Sequence, residues 1–144
     1  MLEVDIEKQL EDFTLRVTFQ VDREVLVLFG PSGAGKSMTF SCITGLARPD
    51  RGMIRLDGRV LFEDDGRNRQ EVPLHKRHIG YVFQNYALFP HMTVAQNLSY
   101  GIRDRRDAGG RAKAMLARLH LDGLADRYPN QLSGGQQQRV AIGR

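Results

Sequence analysis

Val25-Leu26-Val27-Leu28-Phe29 runs directly into Gly30-Pro31-Ser32-Gly33-Ala34-Gly35-Lys36-Ser37, and the reading of this stretch decides the fold. An unbroken apolar run predicts a strand covered on both faces, as in the parallel sheet of an α/β domain. The stretch after it fits G-x-x-x-x-G-K-[ST], and the residues from Lys36 to about Ala47 read as a helix. Strand, glycine loop and helix in that order are the context a phosphate-binding loop requires. Gly30, Gly33 and Gly35 let the backbone adopt conformations closed to other residues and approach an anion closely. The loop's amide groups then point at phosphate from a helix N-terminus, where unpaired donors and the helix dipole favour negative charge. Lys36 adds a point charge for the β and γ phosphates, and the Ser37 hydroxyl is placed to ligate Mg²⁺.

Working outward from this loop, Leu2, Val4 and Ile6 alternate with Glu3, Asp5 and Glu7, and Leu15, Val17 and Phe19 alternate with Arg16, Thr18 and Gln20. Period two predicts strands with one wet face. Ile54-Arg55-Leu56 and Val60-Leu61-Phe62 flank Asp57-Gly58, a favoured hairpin turn. Glu63 to Glu71 reads as an exposed loop, and Ile79-Gly80-Tyr81-Val82-Phe83 as another buried strand ending at Gln84. From Thr93 the pattern turns helical. Thr93-x-x-Gln96 and Ser133-x-x-Gln136 both fit capping boxes, and Ala112 to Leu121 carries apolar residues at helical spacing. The organisation expected is a nucleotide-binding α/β part over 1–85 and a helical part over 86–144.

The 144 residues carry 41% hydrophobic and 26% charged side chains, an ordinary balance for a folded domain rather than a disordered chain. The net charge of +4 is mild, and no Lys/Arg block or interleaving of basic and aromatic residues argues for nucleic acid. The most basic stretch, Arg103 to Arg118, is interrupted by Asp104 and Asp107 and reads as a solvated helical face. The N-terminus lacks the basic start and apolar core of a signal peptide, and no run reaches the roughly 18 apolar residues of a membrane span. Cys42, the single cysteine, excludes an internal disulfide and reads as a small buried hydrophobe.

A second phosphate-handling element lies downstream. Leu132-Ser133-Gly134-Gly135-Gln136 places a hydroxyl and two bare amides at a helix start, another anion-binding arrangement. With the loop at 30–37, Tyr81-Val82-Phe83-Gln84 and Pro90-His91-Met92-Thr93-Val94, it makes the chain resemble the ATP-binding subunit of an ABC transporter, importer branch, over essentially its whole length. In that likeness Gly30 to Ser37 is the Walker A motif, Tyr81 to Gln84 the Q-loop, and Leu132 to Gln136 the signature.

The resemblance implies a phosphate-loop NTPase core with N-terminal antiparallel strands and a helical subdomain, cut before the Walker B strand. It implies that ATP is held by Gly30 through Ser37 with Met38. Across a head-to-tail dimer with a second ATPase subunit, it is held by Ser133, Gly134, Gly135 and Gln136. Gln84 would reach Mg²⁺ and the attacking water, and Phe13 lies near the aromatic that stacks on adenine, or is an ordinary strand position. The surface from Gln84 and Tyr86 to Met92 would receive a membrane-spanning permease, with a solute-binding protein upstream, at the cytoplasmic face of the cell membrane. Met38 stands where many relatives carry a Thr that bonds the α-phosphate, which leaves only backbone there. The Walker B aspartate, the catalytic glutamate (general base) and the switch histidine are expected beyond Arg144, since His75, His78, His91 and His120 match none of them.

On solute, Gly58 to Leu61, Asn97 to Gly101 and Val140 to Arg144 most resemble molybdate importers. Sulfate, polyamine and sugar importers stay open, as do a nucleotide-binding fragment without hydrolysis and a soluble ABC ATPase of DNA repair or translation.

Overall fold

A computed structural model of the chain describes residues 1–102 and 106–144. Two compact units, Met1–Gly80 and Tyr81–Arg144, divide it. In the first, strands β1 (Leu2–Gln9), β2 (Thr14–Val21), β3 (Arg51–Leu56), β4 (Arg59–Asp64) and β5 (Arg69–Glu71) form one antiparallel sheet in the order β2-β1-β3-β4-β5. Helix α1 (Lys36–Thr44) packs on it.

The alternation seen in the sequence sets which face is covered. Val4 and Ile6 of β1 are buried with Ile54 of β3 and Leu61 and Phe62 of β4, and α1 contributes Cys42 and Ile43 to the same cluster. Val4 pairs with Phe19 and Ile6 with Val17 across β1 and β2, so apolar side chains share one face while Asp5 opposite Thr18 faces water. The expected hairpin is present. Asp57 and Gly58 both take positive φ, 50° and 77°, the twist that two-residue hairpin turns need.

Three expectations are corrected. Val25 to Phe29 is not a strand, and Val25, Val27 and Phe29 are 90%, 76% and 100% exposed. Ile79 to Phe83 is not a strand either, and Val82 and Phe83 are exposed. A central strand needs hydrogen-bonding neighbours and packing on both faces. Among the described residues no strand pairs with either run, so apolar composition alone does not hold them extended in a sheet. Glu63 to Glu71 is exposed but is no plain loop. It ends β4 and forms β5, with Asp65 Oδ1 accepting from the amides of Arg67 and Asn68 at 2.8 and 2.6 Å to close the turn.

The second unit holds α2 (Val94–Ser99), α3 (Ala108–Arg118) and α4 (Gly134–Gly143) around Val94, Leu98, Ala112, Leu116, Leu121, Leu132 and Val140. Both capping boxes form: the Thr93 and Ser133 hydroxyls accept from the amides of Gln96 and Gln136, whose side chains accept in return. Of the basic stretch, residues 103–105 lie outside the described residues. Helix α3 buries Ala112 and Leu116 and leaves Arg111, Lys113 and Arg118 exposed. Among the described residues no helix is long and apolar enough to cross a membrane.

Candidate functional site

The glycine loop ends where α1 begins, and Gly35 is the pivot. It caps the helix in a left-handed conformation, φ 85° and ψ 6°, and a Cβ there would lie 2.6 Å from Leu15 Cδ1. Only glycine meets both demands without strain. Thr39 fastens the first turn from inside, its amide and hydroxyl both donating to the Gly35 carbonyl at 2.8 and 3.0 Å.

Helix geometry leaves the first amides without intrahelical acceptors. Among the described residues the amides of Gly33, Gly35, Lys36 and Ser37 find no acceptor, and Ala34 donates to Pro31 O at 3.3 Å. Lys36 Nζ folds back to donate to Gly30 O at 2.8 Å and Pro31 O at 2.6 Å. An ammonium held by neutral carbonyls, beside a row of free amides on a helix of nine residues, is a donor set suited to a polyphosphate. Pro31, Ser32, Gly33, Ala34 and Ser37 are exposed, so loop and hydroxyl are open to a ligand. Met38 packs its side chain against the sheet core.

Phe13 lies in the turn ahead of β2, where its carbonyl accepts from Leu10 N at 2.9 Å. The residue is 39% exposed, so it is not a covered position of the strand. His75 and His78 are exposed.

In the second unit, Ser133 caps α4 with extended backbone, φ −66° and ψ 158°, and Gly134 and Gly135 face open space. The Gln136 carboxamide is turned inward, accepting from Ser133 N at 2.9 Å, so Gln136 shapes the motif and leaves the glycine amides as its outward donors. Gln84 is exposed in a turn that continues through two non-glycine residues at positive φ, Tyr86 at 60° and Ala87 at 46°. Left-handed backbone at a bulky side chain persists only where surroundings impose it, and it is enriched at functional sites.

Some residues that shape these elements carry no signal in the sequence. Arg77, beside Lys76 and His78 in the chain, is 1% exposed. Its Nη1 donates to Cys42 O and Ile43 O at 2.9 and 2.8 Å, and its Nε to Val72 O at 2.8 Å, so it caps the C-terminal end of the phosphate-loop helix. Burial pushes its pKa down, with Glu71 opposing. Gln137 donates to Pro129 O at 2.9 Å and Arg139 to Leu119 O and His120 O at 3.0 and 3.1 Å, which ties the signature helix to the segments before it. Asn97 is another such case. Buried polar side chains look like surface ones until the fold places acceptors around them.

The comparisons with known proteins agree with this geometry. The chain is 43% identical to the molybdate/tungstate import ATP-binding protein of Archaeoglobus fulgidus, over 99% of its own length and 57% of that protein's. It is 41% identical to the sulfate/thiosulfate import ATP-binding protein of a Synechocystis strain, over 97% of its own length and 39% of the relative's. It thus spans about two fifths to three fifths of the curated relatives it matches. Among solved structures, the ATP-binding cassette MJ0796, a dimer in a post-hydrolysis state bound to ADP and Pi, superposes with a TM-score of 0.75 at 28% identity. That match covers 99% of this chain and 68% of the cassette. With the ABC transporter family model matching residues 15–144, the chain belongs to the ABC transporter family.

Proposed function

We propose that this chain is the ATP-binding part of an ATP-hydrolysing subunit that drives import of a solute through a membrane partner. The observation that carries the reading is the loop at Gly30 to Ser37, where the amides of Gly33, Gly35, Lys36 and Ser37 find no acceptor among the described residues while Lys36 waits on the loop's own carbonyls. ATP is held by Gly30 through Ser37 and the Met38 backbone, with Phe13 offered to adenine. In binding, Lys36 exchanges two neutral carbonyls for phosphate oxygens, a charge-assisted contact of higher strength. The Ser37 hydroxyl would ligate Mg²⁺ and Gln84 would sense it, and the ion would supply neutralisation of the charge on the transferred phosphoryl group. Ser133, Gly134 and Gly135 present their donors to the nucleotide of a second subunit, as befits a family with dimeric cassettes. The unit Met1–Gly80 is then the nucleotide-binding part and Tyr81–Arg144 the helical part, at the cytoplasmic face of the membrane.

The solute we infer is molybdate or a similar oxyanion, on the strength of the Archaeoglobus relative. A sulfate importer is the second reading, favoured by the Synechocystis relative at 41% identity. Uptake of labelled molybdate and sulfate by cells lacking the gene decides between them. The nucleotide site is tested by Lys36→Ala. Loss of a charged hydrogen-bonding partner is worth about 1.5–3 kcal/mol, which is about a 10- to 150-fold rise in the Kd for ATP. Unchanged affinity by calorimetry would sink the assignment.

A further inference from the structure

We propose that Thr39 is a positioning residue for the nucleotide. Its buried hydroxyl holds the Gly35 carbonyl, and through the planar Gly35–Lys36 peptide it aims the Lys36 amide at the phosphates. This rests on the nucleotide reading above and adds to it a residue that lies outside the glycine-loop motif.

The usual device for fixing the first turn of a helix is an N-cap side chain that accepts from the amides of that turn. Helix α1 has none: its N-cap is Gly35, no side chain caps it, and no acidic residue lies in its first turn. That keeps the amides open to an anion, but it leaves the first peptide unit without a tether on its donor side. Glycine makes the need greater, because a residue without a Cβ moves readily out of the φ 85°, ψ 6° that the loop requires. A peptide whose N–H must face a ligand can then be held only by its carbonyl.

Thr39 supplies that hold. Its amide and its hydroxyl both donate to Gly35 O, at 2.8 and 3.0 Å, so one residue engages both lone pairs of the carbonyl. The amide bond belongs to any helix; the hydroxyl bond is additional. A trans peptide is planar, so the Gly35 C=O and the Lys36 N–H point in opposite directions from one rigid unit. Fixing the carbonyl into the helix therefore fixes the Lys36 N–H toward the loop, where it finds no acceptor among the described residues. Thr39 is 2% exposed, so water does not compete for its hydroxyl.

The helix as such has no need of this bond. Threonine is a mediocre helix former, and hydroxyl bonds to the carbonyl four residues back slightly destabilise or bend helices. Thr44 makes the same kind of bond, to Phe40 O and Ser41 O at 2.9 and 3.2 Å, but those carbonyls belong to peptides whose amides lie inside the helix. The Thr39 bond acts on a peptide whose N–H is free.

The test uses the full-length natural protein with ATP as the probe. Thr39→Val keeps the shape and removes the hydroxyl; Thr39→Ser keeps the hydroxyl. By calorimetry we expect Thr39→Val to raise the Kd for ATP about three- to tenfold, the share of one ordinary hydrogen bond. Thr39→Ser is expected to stay within about twofold, the size of an ordinary neutral change. The urea midpoint of the nucleotide-free Thr39→Val protein is expected not to fall. A lysine-selective ¹⁵N label reads the amide itself: at saturating ATP the Lys36 resonance moves downfield in the wild type and less in Thr39→Val. An unchanged Kd overturns the inference, as does a lowered urea midpoint with the Lys36 shift undiminished, the mark of a purely structural role. A rise in Kd for Thr39→Ser as large as for Thr39→Val overturns it too, since the methyl and not the hydroxyl would then matter. Should Thr39→Val fail to fold, Thr39→Ala is read against Thr39→Ser, with the same rise in Kd and the same loss of Lys36 shift expected, and their absence overturns the inference equally. A wild type that does not bind ATP defeats the nucleotide reading itself, an outcome distinct from a wild type that binds it beside an indifferent Thr39→Val.

Discussion

Replacing Gly35 with alanine tests the geometry of the phosphate loop most directly. At φ 85° an L-residue with a Cβ pays about 1–2 kcal/mol for left-handed backbone. The new methyl would also lie 2.6 Å from Leu15 Cδ1, and Leu15 is only 5% exposed, so it has no room to swing away. Overpacking of that kind costs about 1–3 kcal/mol. Together the two effects come to about 2–5 kcal/mol, a large share of the roughly 5–15 kcal/mol that holds a domain folded. The assay is urea denaturation of the purified protein with a double-mutant cycle on Leu15→Ala. That second change costs about 2–5 kcal/mol alone through the cavity it leaves. In the double variant the cavity accepts the methyl, so the combined loss falls short of the sum by about 1–3 kcal/mol, beyond the roughly 0.5 kcal/mol scatter of independent sites. Strict additivity would remove Leu15 from the account. A loss under about 0.5 kcal/mol for Gly35→Ala, the level of an ordinary surface change, would refute the loop geometry altogether.

Two further outcomes follow from burial. Cys42 is 0% exposed, and burial pushes its thiol pKa up, with Lys8 pulling the other way. The folded state then keeps a proton that the unfolded chain releases, so this contribution to stability is full below the ordinary thiol pKa of about 8.5 and declines as pH rises through the folded value. Alkylation of Cys42 at pH 8 is expected to require unfolding; labelling of the native protein at the unfolded rate would contradict this. A polypeptide limited to residues 1–144 presents Val25, Val27 and Phe29 to water and is expected to bind anilinonaphthalene sulfonate and to melt broadly. A sharp, cooperative thermal transition without dye binding would show that the exposed run is harmless.

Local chemistry was legible in the sequence because each signal is carried by residues near one another in the chain. The alternation in Leu2 to Ile6, the Asp57-Gly58 turn and the capping boxes at Thr93 and Ser133 need only neighbours within a few positions, and all form. The glycine loop is of the same kind: Gly35 at φ 85° caps α1 where the motif places it. Phosphate-loop and signature motifs in order therefore determined the family without any coordinates. What only the tertiary structure decided depends on distant partners. Val25 to Phe29 reads as a covered strand, but cover comes from other strands, and among the described residues none pairs with it. Arg77 and Asn97 carry no local signal of their surroundings. They become internal braces because the fold brings the carbonyls of Cys42 and Ile43 to one, and the backbone of Phe89 to Thr93 to the other. A side chain's polarity is written in its own atoms, whereas its burial and its hydrogen-bond partners are properties of everything packed around it.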